Sequence, residues 1–318
     1  MAYYTKINKS DFKNYLKNYS LGNLIIHKGI DSGIENTNYF FKTTTGNYVL
    51  TIYENKITER IKKKNLPFFI DLVNFLRKNN FPCPAILKNN NNKFLNTYNK
   101  KQFTIVNFVK GKTEKRITAN HCYKLGRILA TLHKNSFKFK KKKKNDFSLK
   151  EWDNLINKRI KLSKKKYSIL KEEINHIKEN WPKQLPSGII HGDLFPDNVF
   201  FKNNKISGII DLSNACNDFF FYDLSICINA WCYEKTLNIN KMKNLFNGYN
   251  SIRKVKIKET NLLNLFLRAS SLRFYLSRLM DSQNKKIPKK YKKNPNEYLN
   301  RLKYFQSNKV DNYLYKNK

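Results

Sequence analysis

The sequence predicts an α+β fold, in which a small antiparallel sheet comes first and a larger, mainly helical region follows. Three observations support this prediction. Short β-branched and aromatic runs, separated by turn residues, fill residues 24–108. Apolar residues recur at helical spacing in residues 125–132 and again in residues 262–279. Between these helical segments, two apolar runs flank the turn at Asn203-Asn204, which predicts a short hairpin.

The first region is predicted to contain four strands and one helix. Thr45, Gly46 and Asn47 predict a tight turn between the two middle strands. Proline suits the first turn of a helix, so Pro67 predicts a helix over residues 67–78. The predicted strands cover residues 24–27, 37–42, 48–53 and 103–108.

The second region is predicted to be helical, with a lysine-rich interruption. Residues 125–132 carry one apolar stripe. The successive lysines at 140–144 repel one another, so residues 136–150 are predicted to be a solvated connection. Residues 152–180 have a charged helical pattern, and residues 262–279 carry a second apolar stripe, with several arginines off it.

Composition limits the kinds of protein that this chain can be. Its 318 residues suffice for one two-lobed domain or two closely coupled ones. The 63 lysines and arginines outnumber the 23 acidic residues, which gives a formal charge of +40. Such a charge can attract nucleic acid or an anionic membrane, but no nucleic-acid-binding module is visible. Because lysine and asparagine both have AT-rich codons, we attribute the charge to coding composition and expect no specific nucleic-acid partner.

Cysteine usage and hydropathy predict a cytoplasmic protein. The five cysteines show no Cys-x-x-Cys spacing and lie in apolar segments, so they are predicted to be reduced core thiols. No apolar run reaches the length of a membrane span, and the first residues lack a signal-peptide pattern. We therefore expect no membrane partner.

Two groups of polar residues flank the predicted hairpin. His191-Gly192-Asp193 and Asn198 precede it, and Asp211 directly follows its second strand. The hairpin can bring the side-chain oxygens of Asp193, Asn198 and Asp211 together at one end. Carboxylate and amide oxygens are hard ligands, which suit Mg²⁺ and the phosphates that it carries. Isolated polar residues near strands are usually structural, but the order and spacing here favour a catalytic site.

The same spacing matches the catalytic and metal loops of kinases, in which Asp-x-x-x-x-Asn is followed by a later Asp after a strand. In that pattern Asp193 accepts the proton of the substrate hydroxyl, while Asn198 and Asp211 hold magnesium. Asp223 lies in Tyr-Asp-Leu, where a kinase-like fold has a helix aspartate that braces the catalytic loop. We expect His191 to brace the loop as well.

The segment His-Gly-Asp-x-x-x-x-Asn resembles the aminoglycoside phosphotransferase superfamily, whose members phosphorylate small hydroxyl compounds. Gly192 stands where protein kinases carry arginine, which separates this chain from them. Ala230 departs from the family pattern, which has an acidic residue at this position. Other segments resemble the homoserine kinase family of this superfamily: residues 29–41, 47–54, 66–71, 214–216, 224–232, 272–279 and 294–298.

This resemblance implies a two-lobed protein-kinase-like fold. Residues 1–110 would form a nucleotide-binding lobe around the small sheet, and residues 111–318 a mainly helical catalytic and substrate-binding lobe. It also implies an enzyme that uses ATP and Mg²⁺ to convert L-homoserine into O-phospho-L-homoserine, with ADP as the second product, for threonine biosynthesis. Choline, an aminoglycoside or methylthioribose remain alternative substrates, and a non-catalytic basic binding protein is the competing class.

The nucleotide site is expected in the first region. Ser32, Gly33 and Asn36 lie in a turn between the first two strands, where glycine lets backbone amides approach a phosphate. Phe108 ends the fourth strand and Val109 begins the connection after it, where the adenine of ATP would hydrogen-bond to the backbone.

The third strand departs from the kinase-like pattern. A lysine or arginine usually holds the nucleotide phosphates there, and Thr51 stands at that position. The phosphate-binding cation is therefore unassigned, and a pseudokinase is a further alternative.

An amino-acid substrate needs a cation for its carboxylate and an acid or carbonyl for its ammonium group. Arg273, Asp218 and Asn38 lie in segments that resemble the family and carry suitable groups, so they are the candidate substrate-binding residues.

Overall fold

A computed structural model describes residues 4–31, 36–54 and 65–314 of the chain. The chain divides into two compact units. The first is Met1–Gly111 with Ser207–Ser213, and the second is Lys112–Ile206 with Asn214–Lys318. The lobe boundary expected at residues 110–111 stays a prediction.

The first unit is built on a five-stranded sheet. Its strands are β1 (Leu24–Ile30), β2 (Asn36–Thr43), β3 (Asn47–Tyr53), β4 (Asn96–Tyr98) and β5 (Lys101–Asn107). They are arranged in the order β1-β2-β3-β5-β4, and every neighbouring pair is antiparallel. In β2 the alternate side chains from Thr37 to Thr43 are buried, so one face of the sheet packs against the core. The predicted antiparallel sheet is therefore confirmed, and β4 is a strand that the sequence analysis did not predict.

Two helices complete the described part of the first unit, α1 (Lys9–Leu16) and α2 (Leu66–Lys78). Phe12 and Leu16 of α1 are buried in the same core as the sheet. The side chain of Asn8 caps α1 by accepting a hydrogen bond from the backbone N–H of Asp11, at 2.8 Å. Pro67 occupies the first turn of α2, as the sequence predicts.

Two small sheets lie later in the chain. In one, β6 (Ser187–Ile190) pairs antiparallel with β9 (Cys216–Phe219). In the other, β7 (Val199–Lys202) pairs with β8 (Lys205–Ile209). Asn203 and Asn204 between them have positive φ angles of 48° and 58°, as a type I′ hairpin turn requires. The predicted hairpin is confirmed.

The remainder of the second unit is helical. Its helices are α3 (Ala119–Ser136), α4 (Leu149–Asn154), α5 (Lys164–Glu179), α6 (Phe220–Trp231), α7 (Ile239–Asn250), α8 (Ile257–Thr260), α9 (Leu263–Gln283) and α10 (Asn296–Ser307). The mainly helical character predicted for this region is confirmed.

Two helical predictions are wrong in detail. Residues 152–180, expected to form one helix, contain the end of α4, a π-helical turn at Leu155–Arg159, an irregular link and α5. Helix α9 is buried on nearly all sides rather than along one stripe, because α5, α6 and α10 all pack against it. Arg273 and Arg278 of α9 are therefore only 5% and 8% exposed.

All five cysteines are unpaired and buried, as predicted. Burial raises the pKa of Cys83 and that of Cys216 to about 12. Both thiols therefore stay protonated and behave as small apolar side chains.

Within residues 4–31, 36–54 and 65–314, no helix combines the length and the hydropathy needed to cross a bilayer. The longest, α9, has 21 residues. It also carries three arginines and an aspartate, which oppose insertion into lipid.

Helices α3 and α7 approach each other through two glycines. A Cβ atom added to Gly248 would lie 1.9 Å from the carbonyl oxygen of Tyr123, and one added to Gly126 would lie 2.1 Å from that of Leu245. Atoms cannot approach so closely, so the observed spacing of these helices requires glycine at both positions.

Replacing Gly248 with alanine should lower the free energy of unfolding by about 1–3 kcal/mol, because α3 and α7 must move apart to admit the methyl group. Gly46→Ala is the control, since its Cβ would meet only the mobile end of the Tyr48 side chain, 2.9 Å from the hydroxyl oxygen. Urea unfolding followed by circular dichroism measures both variants. Equal stability of the two would contradict the tight helix packing.

Candidate active site

The candidate catalytic loop begins where β6 ends. His191 is completely buried, and Gly192 has a φ of +73°. A Cβ atom at Gly192 would lie 3.2 Å from the carbonyl oxygen of Asn214. A residue with a side chain is strained in this left-handed conformation. Glycine is therefore needed between His191 and Asp193.

The carboxylate of Asp223 holds the backbone of this loop. Asp223 lies in the first turn of α6 and is completely buried. Its Oδ2 accepts the N–H of His191 at 2.8 Å, and its Oδ1 accepts the N–H of Gly192 at 2.9 Å. The Nε2 atom of His133 lies 3.0 Å from Oδ2 and makes a third hydrogen bond. This is the geometry expected of a brace, and the part that the brace plays in catalysis stays a prediction.

A chain of hydrogen bonds continues from His133. Its Nδ1 lies 2.6 Å from the Tyr249 hydroxyl oxygen, and that hydroxyl accepts a bond from Nη1 of Arg253 at 3.2 Å. Arg253 also makes two bonds to the carboxylate of Glu259, at 2.9 and 3.0 Å. Sequence reasoning missed these residues. The sequence offered one indication of this network, the position of His133 next to the apolar stripe of a helix. A histidine in such a position is most often structural.

Burial and hydrogen bonding set the protonation states in this network. Burial lowers the pKa of His133 more than Asp223 raises it, so the ring is neutral at neutral pH. Burial raises the pKa of the Tyr249 hydroxyl, which therefore donates to Nδ1 while Nε2–H donates to Asp223. Burial also acts to raise the pKa of Asp223, but the hydrogen bonds from the His133 ring and the His191 backbone bring it below the usual value. Asp223 thus stays ionised.

Two asparagine amides contact Asp193. Nδ2 of Asn198 donates to the backbone oxygen of Asp193 at 2.8 Å, and Nδ2 of Asn214 lies 3.4 Å from its Oδ2. Asn198 ends a short 3₁₀ turn at Pro196–Asn198. The structure therefore brings Asp193 and Asn198 together. Asn214 was not among the predicted site residues, because its contact with Asp193 spans two loops.

Asp211 belongs to the first unit, where it follows β8. Its φ is +60°, a left-handed conformation that is uncommon for a residue with a side chain. Its Oδ1 accepts a hydrogen bond from Oγ of Ser213. Burial, with a smaller contribution from the charge of Asp211, raises the pKa of Tyr53 to about 12. The convergence of Asp211 with Asp193 and Asn198 stays a prediction.

The predicted phosphate-covering turn is only partly described. Ser32 and Gly33 lie outside the described residues. Asn36 is the first residue of β2, and its Oδ1 accepts a bond from the backbone N–H of Glu54 at 3.3 Å. This bond ties the start of β2 to the end of β3.

The predicted adenine-binding residues follow β5. The N–H of Phe108 donates to the carbonyl oxygen of Asn47 at 3.0 Å, and its ring meets that of Phe40 edge-on, with centroids 5.2 Å apart. Val109 packs on the backbone of Gly208, where an added Cβ would lie 2.3 Å from Cγ1 of the valine.

The three predicted substrate-binding residues fall in both units. In the first, Asn38 accepts a 2.7 Å bond from the hydroxyl of Thr51. Asp218 and Arg273 lie in the second unit. Burial raises the pKa of Asp218, although a 2.6 Å hydrogen bond from Asn145 and the nearby charge of Arg273 both act to lower it. Nη1 of Arg273 has no hydrogen-bond partner among the described residues.

The sequence of this chain is similar to a known enzyme family and to individual enzymes. The family model described as "Phosphotransferase enzyme family" matches residues 27–254. The chain is 38% identical over 314 residues to the homoserine kinase of Rhizobium meliloti (strain 1021), covering 96% of this chain and 95% of that protein. It is 39% identical over 318 residues to the homoserine kinase of Bartonella tribocorum, covering 96% and 97%.

Two solved structures with the same fold share little sequence with this chain. An amicoumacin kinase in complex with AMP-PNP, Ca²⁺ and amicoumacin has a TM-score of 0.73 at 12% identity, covering 98% of this chain and 94% of its own. A choline kinase from Streptococcus pneumoniae has a TM-score of 0.69 at 14% identity, covering 94% and 99%. At such identities the likeness shows the fold alone. It confirms the predicted protein-kinase-like fold.

The His133 network predicts that the protein loses stability in mild acid. Because the folded state lowers the pKa of His133, the unfolded chain binds a proton first as the pH falls below about 6.5. The free energy of unfolding should therefore decrease toward about pH 5, by up to about 1.4 kcal/mol per pH unit from this residue. Chemical unfolding at a series of pH values measures the slope.

His133→Gln keeps a donor for Asp223 but cannot be protonated, so its stability should decrease less steeply with falling pH. His176→Gln, at an exposed histidine of α5, should keep the wild-type slope. Identical slopes in the wild type and His133→Gln would show that the buried ring is not neutral.

Proposed function

This chain belongs to the phosphotransferase enzyme family and, within it, to the homoserine kinases, and we propose that it transfers the γ-phosphoryl group of ATP to the hydroxyl of L-homoserine. The products are O-phospho-L-homoserine and ADP, in the biosynthesis of threonine. The observation that carries the proposal is the identity of 37–39% to several homoserine kinases over 96% of the chain. The residues of the candidate loop supply the chemistry that this reaction needs.

In the proposed reaction, Asp193 orients the substrate hydroxyl and accepts its proton. The oxygen of homoserine forms a bond to the γ-phosphorus as the bond to the departing ADP oxygen breaks. The bond from Asn198 holds the backbone of Asp193, and the contact from Asn214 restricts where its carboxylate can lie. Positioning of this kind supplies much of the rate in phosphoryl transfer.

The loop-bracing residues act through the backbone. His191 and Gly192 donate their N–H groups to Asp223, which fixes the chain immediately before Asp193. We assign His191 and Asp223 to positioning rather than to proton transfer, because both are completely buried.

Asn198 and Asp211 fit the role of magnesium ligands. They offer an amide oxygen and a carboxylate, the hard donors that Mg²⁺ prefers. The 2.8 Å bond from Nδ2 of Asn198 to Asp193 occupies the nitrogen side of the amide and leaves the oxygen as its ligand atom. Mg²⁺ in proteins is usually held by one or two side-chain ligands together with substrate phosphates, so these two residues would hold it together with ATP. When bound with ATP, Mg²⁺ neutralises charge on those phosphates.

The ATP itself is proposed to bind in the first region. Ser32, Gly33 and Asn36 would cover its phosphates, and the backbone at Phe108 and Val109 would bind the adenine. The enzyme acts on a small molecule and needs no nucleic-acid partner. Its buried, reduced cysteines fit the cytoplasm, where we place it.

Asp193→Asn should lower kcat for homoserine by about 10²- to 10⁴-fold, because the variant cannot accept the hydroxyl proton. The KM for Mg-ATP should change little. A coupled ADP-release assay measures both constants. Glu234→Gln, which removes an exposed carboxylate paired with Lys241, is the control and should keep wild-type activity. An active Asp193→Asn variant would rule out the proposed role of Asp193.

The same assay tests the substrate. With Mg-ATP and a panel of homoserine, serine, threonine, choline and an aminoglycoside, kcat/KM should be highest for homoserine. A preference for choline or an aminoglycoside would contradict the proposal. ATP binding without any turnover would identify a pseudokinase, and salt-sensitive polyanion binding that Asp193→Asn does not alter would identify a basic binding protein.

A further inference from the structure

A cavity of about 330 Å³ lies beside the catalytic loop, entirely within the second unit. Residues 195–197, which connect Asp193 to Asn198, form one wall. Arg278 of α9, Glu297 and Arg301 of α10, and Ala230 of α6 form others. Neither Arg273 nor Asp218, the substrate-binding candidates from the sequence, lines this cavity. Its volume is within the range of small-molecule sites.

Two arginines of this cavity are held in place by the protein. Arg278 and Arg301 are 8% and 7% exposed, and both form ion pairs with Glu297. Nη1 of Arg278 also donates to the carbonyl oxygen of Asn294 at 3.1 Å, and Nη1 of Arg301 donates to that of Asn229 at 2.5 Å. Their positions are therefore set before any ligand binds, which reduces the entropy cost of binding.

One buried donor in the cavity wall lacks a partner. Nε of Arg301 has no hydrogen-bond acceptor within the part of the chain that the structure describes. Buried polar groups in proteins nearly always have one. Arg301 therefore lines the cavity with one donor left unused beyond its bonds to Glu297 and Asn229.

The charges around the cavity are mixed and balanced. Three cationic side chains, Arg278, Lys293 and Arg301, face three carboxylates, Glu114, Asp197 and Glu297. The charge of the cavity lining thus differs from that of the whole chain, which is +40. A lining with equal numbers of both signs suits a zwitterion better than choline or an aminoglycoside, which are cations and would favour an acidic lining.

We propose that this cavity binds the α-amino-acid head group of the substrate, with Arg278 and Arg301 on its carboxylate and Glu297 on its ammonium group. The inference rests on the proposed function. The two methylene groups of homoserine then carry its hydroxyl from the cavity toward Asp193, along the loop that forms the cavity wall. This assignment replaces Arg273 and Asp218 with residues that line a cavity beside the catalytic loop.

Substrate analogues and an arginine variant test the assignment together. In 3-aminopropan-1-ol the carboxylate of homoserine is missing, and in 4-hydroxybutanoate the ammonium group is missing. Arg301→Gln should lower kcat/KM for homoserine by about 10- to 100-fold, as expected for a lost hydrogen bond to a charged group. It should barely change kcat/KM for 3-aminopropan-1-ol, which has no carboxylate to lose. The KM for Mg-ATP should stay at the wild-type value.

Arg127→Gln is the matched control for the lost charge. Arg127 is an exposed residue of α3 that bonds to Ser251 and does not line the cavity. This variant should have the wild-type kcat/KM for all three substrates.

A second pair of variants avoids disturbing the ion pairs. Ala230→Leu would fill part of the cavity while every charged residue remains, and should raise the KM for homoserine by about tenfold or more. Ala230→Ser adds little volume and should leave that KM within about twofold of the wild type.

The outcomes separate this inference from the proposed function. If the wild type phosphorylates homoserine while folded Arg301→Gln keeps its kcat/KM, and folded Ala230→Leu its KM, within about twofold of the wild type, the head-group assignment is wrong and the function stands. If the wild type does not phosphorylate homoserine, the proposed function is wrong. Calorimetric titration with homoserine, without ATP, then decides the assignment: binding that Arg301→Gln weakens supports it, and equal or absent binding overturns it.

Discussion

The carboxylate of Asp223 is buried in the second unit, where it accepts hydrogen bonds from the N–H groups of His191 and Gly192 and from the ring of His133. These donors come from the loop after β6 and from α3, while Asp223 itself lies on α6. An ionised carboxylate inside a protein is costly unless its hydrogen bonds are made. The loop and both helices must therefore be in their observed positions at the same time. The position of Asp193, two residues after His191, depends on this arrangement.

Helix packing supports the same constraint. Helix α3 holds His133 and α7 holds Tyr249, and the two helices approach closely because Gly126 and Gly248 have no side chains. The hydrogen-bonded chain from Arg253 through Tyr249 and His133 to Asp223 needs this spacing. The backbone contact between two helices thus helps to determine the geometry of a loop that neither of them contains.

The distribution of charge explains why the composition says little about function. Exposed lysines are hydrated and screened by salt, so a large excess of them changes the fold little. Buried carboxylates are neither hydrated nor screened, so each one needs an ion-pair or hydrogen-bond partner. Glu173 pairs with Arg268 at 2.7 Å and Glu259 with Arg253 at 2.9 Å. The surface therefore carries the net charge of +40, while the interior and the cavity beside the catalytic loop keep balanced pairs.

The sequence by itself determined four of the five strands of the first unit, the Asn-Asn hairpin and the position of the candidate catalytic loop. Each of these depends on neighbours only a few positions apart, through side-chain alternation, permitted φ angles or motif spacing. Only the tertiary structure decided the partners of His133, the burial of α9 on nearly all sides and the cavity at Arg301. His133 meets Asp223 across 90 positions, and Arg301 meets Asn229 across 72. Periodicity shows which face of a helix is apolar, but it does not show which distant helix packs there or which buried polar groups then meet.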